Sequence, residues 1–118
     1  MVRGQIHLKL MADPLQFSFA QHPRFRIGLV AANVGNDVID PELHRTKLFV
    51  NGKESRAWGL AIANGKRNSK WCSLPPGDSV SMNWSTLRDS LFPAPGDYIL
   101  KLQLGDIESP AVVVHLLP

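Results

Sequence analysis

The chain is short of the residues that most often announce a chemistry. It has one cysteine, Cys72, among 118 residues. An intrachain disulfide is therefore impossible, and so is a zinc site built on paired cysteines. Of its four histidines no two stand at the His-Glu-x-x-His spacing by which one helix face holds a metal. The longest apolar stretch near the C-terminus, AVVVHLLP, is far too short to cross a bilayer, so no membrane insertion is expected. The opening MVRGQIHLKLMADP alternates in polarity and carries Arg3 and Lys9, unlike a signal peptide. The default expectation is a cytoplasmic chain, or a piece cut from a longer exported one. Charge of one sign is also scarce: 13 Lys and Arg stand against 10 Asp and Glu, a net +3. Those cations are mostly scattered rather than gathered in a stripe, which disfavours nucleic acid as a partner.

What is present is apolar material for one core. Hydrophobic residues make up 44% and charged residues 19%, too apolar for a disordered chain. The length is that of a single domain, residues 1–118.

The dominant period is two. Ile6, Leu8 and Leu10 alternate with Gln5, His7 and Lys9 until Asp13-Pro14 ends the run. Phe17 and Phe19 repeat the pattern before His22-Pro23 turns the chain. Phe25, Ile27, Leu29 and Ala31 then face inward, with Arg24, Arg26 and Gly28 outward. Asn33 and Gly35-Asn36-Asp37 end that strand with residues that tolerate positive φ. Asn51-Gly52 follows Leu48 and Val50 as a hairpin signal. Pro76-Gly77-Asp78 opens a strand with Val80, Met82 and Trp84 inward. Pro95-Gly96-Asp97 opens another, in which Tyr98, Leu100, Leu102 and Leu104 alternate with Ile99, Lys101 and Gln103. The repeated Pro-Gly-Asp is thus a repeated structural act: turn tightly, then start a strand. SKWCSL reads as a further short strand, and STLRDSLF as a loop with some helical character.

One segment breaks the rhythm. Ser55 suits a helix N-cap, Trp58 and Ile62 are four apart, and Asn64-Gly65 suits a C-terminal stop. A short helix over residues 55–65 is the first reading, and a second hairpin turning at Asn64-Gly65 is the alternative. About seven strands at hairpin spacing, without a strand-helix-strand rhythm, predict an all-β chain: an immunoglobulin-like antiparallel β-sandwich with one short helical insertion.

The turn residues carry a family resemblance over roughly residues 24–106. Asn33-Val34-Gly35, Asn51-Gly52, Leu74 to Gly77, and Pro95 to Tyr98 resemble the punctuation of the bacterial adhesion-type modules called CARDB. They also resemble the intracellular proteinase inhibitor (BsuPI-like) family. The segment over residues 58–65 departs from that pattern, and the acidic sequence that often follows the last CARDB strand is missing. The resemblance implies a fold and a binding habit. It carries over no catalytic residue, no metal ligand and no cofactor.

Other constellations have simpler structural readings. His7 and His115 lie on outward faces of the first and last strands and would approach only if those strands were neighbours. Asn36, Asp37, Asp40 and Glu42 crowd one loop but match no calcium-loop spacing. Gly59 to Lys66 is one residue too long for a phosphate loop and lacks its Ser or Thr. Cys72 has no base nearby and reads as a small buried residue. Trp84 follows the inward register, whereas Trp58 and Trp71 flank the insertion, and either is a candidate for half exposure.

The functional expectation is a non-enzymatic interaction module with an unidentified protein partner. Its candidate contact residues are Trp58, Lys66, Arg67, Lys70 and Trp71, which place aromatics and cations together. The alternative is a protease inhibitor of the BsuPI type presenting SLFPAPGDY. A lower alternative is a module for carbohydrate or another anionic ligand. The final strand, β-branched and short of charge, is the expected dimer edge if it lies outermost.

Overall fold

Alternation of this kind makes ribbons with one greasy side, and such ribbons are stable only when stacked face to face. The computed structural model describes residues 6–20, 25–64 and 69–118. Its elements are β1 (Ile6–Asp13), β2 (Gln16–Ser18), β3 (Arg26–Asn33), β4 (Lys47–Val50), β5 (Lys53–Glu54), α1 (Arg56–Asn64), β6 (Ser79–Trp84), α2 (Arg88–Leu91), β7 (Gly96–Leu104), β8 (Ile107–Glu108) and β9 (Val112–Leu117). One sheet has the order β1-β3-β6, and the other β2-β9-β7-β4-β5 with β8 also on β7. The result is a β-sandwich.

The inward positions meet between the sheets. Leu8, Leu10, Ile27, Leu29 and Ala31 of the first sheet are buried, as are Leu48, Leu100, Leu102 and Val114 of the second. A Phe cluster closes one end, with Phe25 and Phe92 edge-on at 5.2 Å and Phe17 beside both. Arg88, only 8% exposed, donates to the Phe19 carbonyl and lies over the Phe17 and Phe19 rings, tying α2 to the chain around β2.

Gly28 is fixed by a close approach. It stands opposite Asn83, and a Cβ there would lie 2.0 Å from the Met82 carbonyl oxygen. Only glycine lets β3 and β6 come this near.

The helical reading of the insertion holds. The Ser55 hydroxyl accepts the Trp58 backbone N–H at 3.2 Å, an N-cap, and Trp58 and Ile62 are both 0% exposed. A nine-residue helix is too short to persist alone, so burial of this pair holds it in place. The expected stop at Gly65 lies outside the described residues. Asn51 and Gly52 have φ of 50° and 84°, the two positive values a type I′ hairpin requires.

Several expectations are corrected. SKWCSL is not a strand: Ser69–Trp71 is a 3-10 turn, and Leu74 makes an isolated bridge to Ile39. Trp71 and Leu74 are buried three residues apart, a helical spacing rather than a strand period. Cys72 is exposed, because it falls on the outer side of that turn. The final strand is not outermost. The chain crosses between sheets at Asp13-Pro14, and β2 then runs parallel to β9, pairing Gln16 with His115 and Ser18 with Leu117. Pro110 has no N–H, so the last strand is broken there. Ser109 completes β8 by exchanging bonds with Leu102, and β9 begins two residues after the proline.

Candidate functional site

The wider sheet exposes a face that the period of two builds directly. On its solvent side stand Lys47 and Phe49 of β4, Glu54 of β5, Asp97, Ile99, Lys101 and Gln103 of β7, Glu108 of β8, and Val113, His115 and Leu117 of β9. Ile99 is 53% exposed and Val113 39%, and the two are direct cross-strand partners. Phe49 stands opposite Lys101, which sets it diagonal to Ile99. An apolar strip therefore crosses three adjacent strands.

Charges frame the strip in pairs. Lys101 Nζ lies 3.0 Å from Glu108 Oε2, Lys47 Nζ 4.0 Å from Glu54 Oε1, and His115 Nδ1 2.7 Å from Asp97 Oδ1. All these side chains are between 43% and 72% exposed, so each pair adds at most about 1 kcal/mol of stability. Lys101 with Glu108 and Lys47 with Glu54 set opposite charges side by side, so neither pair adds net charge to the face. Between them Phe49, Gly52, Ile99, Lys101, Gln103 and Glu108 line a shallow depression of about 260 Å³.

At the end of the same sheet an open cleft of about 500 Å³ lies between the hairpin around Asn51 and the Pro-rich segment before β7. Lys53, Arg56, Leu91, Pro93 and Tyr98 are among the residues that line it. The Tyr98 hydroxyl donates to the Ala94 carbonyl at 2.6 Å, and its ring packs 4.8 Å from Phe92. The exposed stretch from Pro93 to Gly96 is therefore clamped at both ends.

The residues singled out from sequence are distributed differently. Trp58 and Trp71 are both buried, 0% and 2% exposed, and Trp58 meets Trp84 edge-on at 5.0 Å. The expected half exposure of one ring gives way, since both rings are taken into the hydrophobic core. Lys66 and Arg67 lie outside the described residues. Lys70 belongs to the 3-10 turn, and its side chain is outside the description as well. Leu60, 66% exposed, is a large apolar residue that α1 presents to solvent. His7 and His115 fall in different sheets, and His115 faces Asp97 instead. In the acidic loop Asp40 Oδ1 accepts the Glu42 N–H, ordinary turn chemistry. Among the described residues no three His, Cys, Asp or Glu side chains gather as metal ligands would.

Sequence reasoning passed over the Phe49, Ile99 and Val113 strip. Its signal was available, because Ile99 occupies an outward position in a strand whose other outward residues are polar. No protein-family model matches the chain, and no curated protein matches it.

Proposed function

We propose that the chain is a non-enzymatic, immunoglobulin-like interaction module that binds a protein partner through the outer face of its wider sheet. The observation that carries this reading is the solvent-side strip of exposed Ile99 and Val113 with half-buried Phe49 beside them, flanked by the Lys101–Glu108 and Lys47–Glu54 ion pairs. Interface centres are poor in net charge and contain aromatic side chains, while rims are polar, and this face has that distribution. The immunoglobulin-like part is supported by the strand order: three strands face a wider sheet into which β2 crosses to lie parallel with β9. It also agrees with the turn residues shared with CARDB and BsuPI-like modules. The sequence segment with Lys66, Arg67 and Lys70 is the second candidate contact, proposed on its cations alone because Trp58 and Trp71 are buried.

The test compares proteins captured by three immobilised forms: wild type, Ile99→Asp, and a triple variant with Lys66→Ala, Arg67→Ala and Lys70→Ala. The proposal expects Ile99→Asp to lose partners that the triple variant keeps. Unchanged capture by Ile99→Asp overturns it, and loss confined to the triple variant moves the contact to the basic segment.

A second reading is protease inhibition by the stretch from Pro93 to Gly96. It is favoured by the clamp between Tyr98 and Ala94, since an inhibitory loop must be both exposed and rigid. A serine-protease panel showing no inhibition at micromolar protein removes it.

A further inference from the structure

The narrower sheet ends in an edge with unusual chemistry. The Asn33 N–H donates to the Asp78 carbonyl at 2.9 Å, and the register runs on from there to Ile27 opposite Trp84. Hydrogen-bonded pairs alternate along an antiparallel ladder. Val80, Met82 and Trp84 therefore address β3, while Ser79, Ser81 and Asn83 turn their N–H and C=O groups away from it. The Ser79 N–H is taken by the Asp78 carboxylate at 2.9 Å. Among the described residues nothing bonds the outward backbone groups of Ser81 and Asn83. The side chains of Ser79, Ser81 and Asn83 are all exposed.

Unpaired edges recruit other strands, and proteins guard them with charge, proline or shortness. Among the described residues the other edges are guarded. β1 carries His7, Lys9 and Asp13, β5 is Lys53 and Glu54 alone, β8 is Ile107 and Glu108 alone, and β2 has three residues. β6 has six residues, SVSMNW, with neither a charge nor a proline.

We propose that this edge pairs with β6 of a second copy of the chain, antiparallel, about a twofold axis at Ser81. Both copies would then share one continuous sheet of doubled width. A second copy fits because the strand is its own complement. Ser81 falls opposite Ser81 of the second copy, its outward N–H and C=O exchanging two bonds across the axis. Ser79 falls opposite Asn83, small polar against small polar. Val80 falls opposite Met82 on the inner side, where Met82 is half-buried. No charged residue meets its like anywhere along the contact, and an isologous pairing of this kind closes at the dimer. The contact is separate from the face assigned to a protein partner, so either assignment stands without the other.

Sedimentation velocity over a concentration series tests it. The contact is smaller than a standard interface, so the wild type is expected to dimerise with a dissociation constant on the order of 100 µM. Ser81→Pro removes the outward N–H while sparing the ladder to β3, and should weaken association about tenfold or more with unfolding unchanged. Ser81→Lys and Ser81→Glu should each be monomeric alone and should associate when mixed, because the axis sets the two charges against each other. A wild type that stays monomeric throughout overturns the proposal. So does dimerisation that survives the Ser81 substitutions, or loss in both charged variants without recovery on mixing.

Discussion

Pro76-Gly77-Asp78 and Pro95-Gly96-Asp97 are spelled alike and built differently. The first lies against the end of β3: the Gly77 N–H donates to the Asn33 carbonyl, and the Asn33 N–H to the Asp78 carbonyl, both at 2.9 Å. The Asn33 side chain, 1% exposed, extends the knot to the Asp37 carbonyl at 2.7 Å, the Leu74 carbonyl at 2.9 Å and the Gly35 N–H at 2.9 Å. One asparagine thus holds the loop after β3 and the turn before β6 together. The second unit has no such hub. Gly96 is already the first residue of β7, Asp97 projects to His115 on the open face, and order comes from Tyr98 gripping Ala94. The lesson is that a turn motif sets where a strand starts, while the groups around it decide how firmly that start is held.

The largest effect should come from the hub. Asn33→Ala removes three side-chain hydrogen bonds at a buried position, leaving the Leu74 carbonyl only its bond from the Ile39 N–H, and at about 1 kcal/mol per bond should cost about 3 kcal/mol in urea unfolding. A loss below about 1 kcal/mol would show that the two turns are held alike. Next come the glycines. Gly96 has φ of 147°, a value far from the left-handed well, whereas Gly77 at 76° lies near it, and a Cβ added at either would meet no atom within 4 Å. Gly96→Asn should therefore cost about 2 kcal/mol, from backbone strain alone. Gly77→Asn should cost less than about 1 kcal/mol, since asparagine tolerates the left-handed region. Equal losses would erase the distinction between the turns. The smallest effect belongs to the surface pair: Asp97→Asn should shift stability by less than about 0.5 kcal/mol, because both partners are substantially exposed.

Much of the fold was legible. Ile6, Leu8 and Leu10, then Phe25, Ile27, Leu29 and Ala31, then Leu100, Leu102 and Leu104, all face inward as their alternation requires. A period of two offers no other way to bury them. The Ser55 cap and the pairing of Trp58 with Ile62 were legible for the same reason at helical period. Less could be read where apolar residues are sparse. Trp71, Cys72 and Leu74 form too short a run to distinguish a turn of 3-10 helix from a strand. The candidate site was the least legible part. Trp71 looked available because no neighbour in sequence explains its burial, and Trp58 because the ring it meets edge-on, Trp84, comes from elsewhere in the chain. The strip of Phe49, Ile99 and Val113 was invisible as a unit because three separate strands supply it.

Local rules acting within a few residues determined which segments extend, which face of each is apolar, and where glycine, asparagine and proline turn the chain. Those choices depend on dihedral preferences and side-chain period, which any stretch carries with it. Tertiary structure alone decided that β2 would cover β9 and that, among the described residues, no further strand would pair with β6. It also decided that the tryptophans would go inward. Each outcome depends on which distant surface arrives to exclude water or complete a hydrogen bond, and that is a property of the assembled layers.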